Sequence, residues 1–259
     1  MTGSARARAR VSMPVLLICA AAWMMFLVHH GTHAHRPVAD SGALLDSFHT
    51  LLAMNSLSSL AAGWALMLVA MMSPPLIAPV RHIFDRSFKR RRVRSVMLFV
   101  VGYGAIWMPA GGVLLVGMLV LSLLAPQSYL PAPLGVGLMA FVWQCSPIKQ
   151  RCLNRGHNHR ELAAFGIAAD LDALRFGITH GAWCVGSCWA LMLFPIMVSQ
   201  GHIAAMAAVS FVMISDRLEQ PRPLRWRLRV PGKLMRIVVA QTRIRLQGMQ
   251  SGSRQSSMI

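Results

Sequence analysis

Long uncharged apolar runs constrain this chain more than any other feature. Crossing the hydrocarbon core of a bilayer takes roughly 20 such residues in a helix. Six candidate runs occur, at about 11–28, 57–80, 95–124, 133–146, 174–198 and 202–218. Only 13% of the 259 residues are charged and 55% are hydrophobic, whereas a soluble domain carries about 25% charged residues. That composition excludes an ordinary soluble enzyme, a disordered chain and a secreted disulfide scaffold. The expected fold class is all-α, a polytopic transmembrane helical bundle of about six spans. Gly102, Gly104, Pro109, Gly111 and Gly112 lie within the third run and predict a bend or break there.

The basic residues orient the bundle. Arg6, Arg8 and Arg10 precede the first run, and seven basic residues from Arg81 to Arg94 separate the second from the third. Lys149, Arg151, Arg155, Arg160 and Arg175 lie between the fourth and fifth, and ten more close the sixth run and the tail. Thus 25 of 26 Lys and Arg fall on one side, with Arg36 alone on the other. The positive-inside rule then predicts that both termini are cytoplasmic, residues 1–10 as a short basic segment and 219–259 as a basic tail. The formal charge of +18 is read as a topology signal with some attraction to anionic lipid. No basic segment carries interleaved aromatics or a binding motif, so no nucleic-acid partner is expected. The first run has the basic flank of a signal peptide but no clear small-residue cleavage site, and is read as a retained anchor.

Three segments concentrate soft metal ligands. His180, Cys184, Cys188 and Met192 recur every four residues in the fifth run, so they share one helix face. Imidazole, thiolate and thioether suit Cu(I), with zinc second. Buried thiols and Met gap-fillers are the alternative reading of the same residues. Cys145 and Cys152 flank Pro147 at the end of the fourth run. Cys152 is expected to be partly wet, with Lys149 and Arg151 favouring its thiolate. Met67, Met71 and Met72 lie in the second run. Given the orientation, these clusters could meet in one sulfur-rich pocket between the second, fourth and fifth runs, open towards the cytoplasm. His157 and His159 follow Cys152, and His29, His30, His33 and His35 begin an outer loop, 29–56. All are candidate accessory metal ligands.

No Asp or Glu sits in the middle of a run, although proton-driven pumps usually need one. No nucleotide-binding loop, zinc-protease motif or Ser-His-Asp constellation appears, and no enzymatic activity is expected. A thiol oxidoreductase is a weaker reading, because thiols four apart on one helix make a poor disulfide.

The same segments carry a resemblance. Residues 64–74 (WALMLVAMMSP), 144–153 (QCSPIKQRCL) and 180–192 (HGAWCVGSCWALM) resemble the motifs of a bacterial family of predicted metal-binding integral membrane proteins. It is a domain of unknown function sometimes labelled a copper chaperone. The likeness runs from about Trp64 to Arg217. Two positions depart from the family pattern: Gly156 and Ser187 stand where it usually has Cys. The resemblance implies a multi-pass protein of the bacterial inner membrane that binds copper, as chaperone or transporter, for a copper-requiring membrane enzyme. The alternative is a structural or assembly subunit that packs against other membrane proteins and holds no metal of its own.

Overall fold

The computed structural model describes residues 3–32, 57–124, 132–158, 161–163, 165–198, 201–228, 235–236 and 239–243. Its helices of ten residues or more are α1 (Gly3–Thr32), α2 (Leu57–Arg86), α3 (Arg92–Leu124), α4 (Ala132–Cys145), α5 (Pro147–Gly156), α6 (Gly166–Met197) and α7 (His202–Leu218). No strand occurs among the described residues. Four stretches are long and apolar enough to cross a membrane: Val11–Val28, Ser58–Arg86, Arg92–Met118 and Gly166–Met197. The apolar part of α4 is shorter, Leu134–Cys145, and α7 has 17 residues. At about 1.5 Å per residue these two reach roughly 18 and 26 Å, less than the hydrocarbon core of about 30 Å.

Several helices overshoot the apolar runs that announce them. A run ends where polar residues begin, whereas a helix continues as long as its backbone bonds do. So α6 starts at Gly166 rather than near residue 174, and its first turns carry Asp170. That carboxylate pairs with Arg91 and Arg94, at 2.7 Å each.

The predicted break in the third run is absent: α3 continues through Pro109. In membranes, neighbouring helices can satisfy the backbone groups that Pro frees. The carbonyl that Pro109 leaves without its helical donor is that of Ala105; nearby, the Trp64 indole of α2 packs where a Cβ at Gly111 would stand and donates to the Trp107 carbonyl at 3.0 Å. Pro74 has the same effect in α2. Lacking an N–H, it leaves the Ala70 carbonyl without its helical donor. Two α1 side chains replace that donor: Cys19 Sγ at 3.2 Å and Trp23 Nε1 at 3.0 Å.

The most extensive helix pair is α3 with α6. Small residues let these backbones approach closely. A Cβ at Gly102 would stand 2.5 Å from the Leu174 carbonyl oxygen, and one at Gly177 would collide with that of Phe99. This close crossing places the middle of α6 in the centre of the bundle.

Candidate functional site

The four-residue stripe on α6 is buried throughout, at 5% exposure for His180, 1% for Cys184, 4% for Cys188 and 0% for Met192. The Cys184 Sγ lies 3.3 Å from the Tyr103 hydroxyl on α3 and 4.0 Å from the Met72 Sδ on α2. The Cys188 Sγ is 3.3 Å from the Ser187 hydroxyl, which donates to the Cys184 carbonyl at 2.9 Å. Met67, Met71, Met72 and Met192 share one apolar core with both thiols, Tyr103 and Trp107. The structure therefore brings the second and fifth runs together around sulfur. It adds Tyr103 from α3 and Met206 and Met213 from α7.

Other predicted ligands sit elsewhere. The His180 ring is enclosed by Phe99, Tyr103 and Phe176, with centroids 5.8 to 6.2 Å away. Cys145 ends α4 half-buried, and its carbonyl accepts from the Arg227 amide at 3.1 Å. Ser146 then redirects the chain: its side chain caps α5 by accepting from the Lys149 amide at 3.1 Å. Cys152 lands on α5 and is 8% exposed, correcting the expectation of a wet thiol. Its Sγ would be 2.8 Å from a Cβ at Gly186, so this glycine leaves it room against α6. Burial pushes its pKa up, against the pull of Arg151, Arg155 and Arg217. Lys149 is not a partner of that thiol. It is fully buried and pairs with Asp216 at 2.7 Å. Gln144 closes the triad, accepting from Lys149 and donating to Asp216 at 2.8 Å.

Both ring nitrogens of His157 face backbone carbonyls. Nδ1 lies 2.8 Å from the Leu153 carbonyl oxygen and Nε2 lies 3.1 Å from that of Arg217. His29 and His30 fall in the last turn of α1, while His33, His35, His159 and most of the 29–56 loop lie outside the described residues. Among the described residues, no three His, Cys, Asp or Glu side chains are grouped to hold one ion. Of the nine predicted ligands, Met67, Met71, Met72, Met192, Cys184 and Cys188 share one core. What converges is a thiol pair with a thioether, Cys184, Cys188 and Met72.

Sequence reasoning missed two residues at this centre. Tyr103 gives no signal of its own in an apolar, Gly-rich run. Arg217 does give one, as an ionisable residue at the end of a span, but it is hidden among the other basic residues on that side. The residue as a whole is half-buried, yet its Nε and Nη2 are buried and have no hydrogen-bond partner among the described residues. Its guanidinium is close enough to interact electrostatically with Cys184, Cys188 and Tyr103. Its Nη1 occupies the place that a Cβ at Gly156 would need. Both departures from the family motif, Gly156 and Ser187, thus lie against this centre.

A family model described as "Copper chaperone" matches residues 61–239, well over half of the chain. The chain belongs to this family. The match begins in α2 and takes in every later helix, so all the residues of the sulfur centre lie in the copper-chaperone region and α1 lies before it. No curated protein matches the chain, and no solved structure does. Within this copper-chaperone member, two thiols one turn apart with a thioether beside them form a soft donor set. Such donors favour Cu(I) over hard cations.

Proposed function

We propose that this chain is a membrane copper chaperone that holds Cu(I) as cargo between Cys184 and Cys188, with Met72 as a third donor. The contact of Cys184 with Met72 across two helices carries this reading. A single buried thiol is ordinary packing. Two thiols on one helix face, met by a thioether from another helix, form a set that can share one soft ion. The ion would arrive and leave by ligand exchange, each incoming sulfur displacing one already bound. Binding requires the thiols to lose their protons, and Arg217 supplies compensating positive charge nearby. The recipient would be a copper-requiring membrane enzyme. No bond in a substrate is made or broken, so the protein acts as a carrier rather than an enzyme.

We place the protein in the bacterial inner membrane with six crossings and both termini in the cytoplasm. Four crossings are supported by α1, α2, α3 and α6. The other two are α4 and α7. The location of 25 of 26 basic residues on one side supports that orientation.

The test is metal content. The full chain, purified in detergent under reducing conditions with copper supplied, should retain close to one copper per chain. The Cys184→Ala/Cys188→Ala double variant should retain almost none while keeping its helical circular dichroism. Equal metal in both would remove the thiol pair from the site. Metal in neither, with both folded, would favour a structural subunit in which these residues only pack.

A further inference from the structure

We propose that the segment after α7, from Leu224 to Leu228, is an interfacial anchor that binds anionic phospholipid headgroups at the membrane face where α4 ends. The proposal rests on the reading of the chain as a membrane bundle in which α4 is a crossing. It is independent of the metal site.

The starting observation is the run Leu224-Arg225-Trp226-Arg227-Leu228, apolar and cationic by turns. Its apolar members are all exposed, Leu224 at 52%, Trp226 at 67% and Leu228 at 59%. Arg225 and Arg227 are exposed beside them. Among the described residues, no ion pair engages either of these arginines, whereas Arg222 is paired with Glu219 at 2.6 Å. A single exposed apolar side chain is ordinary on a protein surface. Three of them alternating with unpaired cations are not.

The segment is fastened to the bundle at two points. On α5, the Asn154 side chain accepts from the Arg222 amide at 3.1 Å and donates to the Arg222 carbonyl at 2.7 Å. Pro221 and Pro223 flank that clamp, and their fixed φ and missing donors keep the chain from continuing as a helix. Five residues after Arg222, the Arg227 amide donates to the Cys145 carbonyl at 3.1 Å. Cys145 is the last residue of α4, and the last carbonyls of a helix have no donor of their own. The segment leaves the end of α7 at Leu218 and is thereby held against the end of α4. If α4 is a crossing, its end marks the level at which hydrocarbon gives way to headgroups.

The chemistry at that level has two parts. A Trp ring is apolar with one polar N–H, which suits it to the interface. An Arg presents a planar fork of donors that matches a phosphate bidentately. Phosphatidylcholine sets a quaternary ammonium beside its phosphate, whereas an anionic lipid leaves that charge uncompensated. Two unpaired arginines therefore favour the anionic lipid, while Leu224, Trp226 and Leu228 reach towards the acyl boundary.

The experiment uses the full chain reconstituted into vesicles of phosphatidylcholine with a minor fraction of phosphatidylglycerol. Bromine is placed near the headgroup end of the acyl chains, either on the phosphatidylglycerol or on an equal amount of phosphatidylcholine. The Trp226 signal is the difference in fluorescence between the parent and Trp226→Phe. It should be quenched, and the enrichment of phosphatidylglycerol over phosphatidylcholine read from the two series should reach about fivefold or more, the effect of one arginine near an anionic surface. Arg225→Gln/Arg227→Gln should bring the two series together. Equal quenching in both series for the parent, or a preference that survives in the double variant, would overturn the proposal. Trp226 quenched only by aqueous iodide would be a solvated side chain. Trp226 reached by neither bromine nor iodide would be covered by protein, a second copy or another partner. Either result overturns the anchor. In both cases bromine quenching of the tryptophans that remain in Trp226→Phe would leave the membrane bundle standing, and its absence would remove the membrane reading as well.

Discussion

Cys152 shows how far a residue's surroundings can depart from its sequence neighbourhood. Basic residues at 149, 151 and 155 suggest an activated thiolate. In the fold, however, Lys149 is committed to Asp216, and Cys152 is tucked against Gly186. Burial is the largest influence on its pKa and raises it. Folding therefore favours the protonated thiol. The stability this contributes is complete below the ordinary thiol pKa of about 8.5 and is lost as pH rises through the higher folded value. Alkylation by a water-soluble maleimide should be slow at pH 7 and accelerate only above the range in which a free thiol reacts. Fast labelling at pH 7 would show a thiolate and revive the oxidoreductase reading. At this scale the stripe at 180, 184, 188 and 192 was legible, because four-residue spacing on a helix determines a shared face. Tyr103 and Arg217 were not, because their roles depend on which helix lies opposite.

Helices were legible where apolarity and length coincide, as in α1, α2, α3 and α6. Their ends were less so, because polar first turns such as the one carrying Asp170 are stabilised by partners distant in sequence. The continuity of α3 through Pro109 was also misread, since what holds the helix straight on is its packing against α6, a segment distant in sequence. Crossing points between helices are set by missing side chains. Gly177→Ala would drive a methyl group into the Phe99 carbonyl, which is backbone and cannot rotate away. Overpacking of this kind costs about 1–3 kcal/mol. We expect a lower thermal midpoint in detergent for Gly177→Ala, and little change for Gly63→Ala, which has open space around its Cβ position. Equal midpoints for the two variants would mean that α3 and α6 do not cross as closely as described.

The whole molecule is tied together by polar joints that no single segment announces. Lys149 on α5 and Asp216 on α7 are 67 residues apart, yet they form a buried ion pair. The Asn154 side chain holds the Arg222 carbonyl at 2.7 Å, which fastens the segment after α7 to α5. Breaking one side of a buried pair strands a charge and typically costs about 3–5 kcal/mol, whereas replacing both partners can be neutral. Lys149→Met and Asp216→Leu should therefore each destabilise strongly in detergent denaturation, and the double variant should recover much of the loss. Additive losses would show that the two residues are not partners. The succession of four long apolar helices was legible from apolarity, but their pairing was not, because it depends on contacts between distant segments. One such contact also bears on biogenesis. Pro74 deprives the Ala70 carbonyl of its own helical donor, and lipid offers no water in exchange. The donors that fill the gap, Cys19 and Trp23, belong to the helix translated earlier. The helix that supplies these donors is thus made before the carbonyl that needs them, so the order of synthesis matches the order in which the two helices can pair.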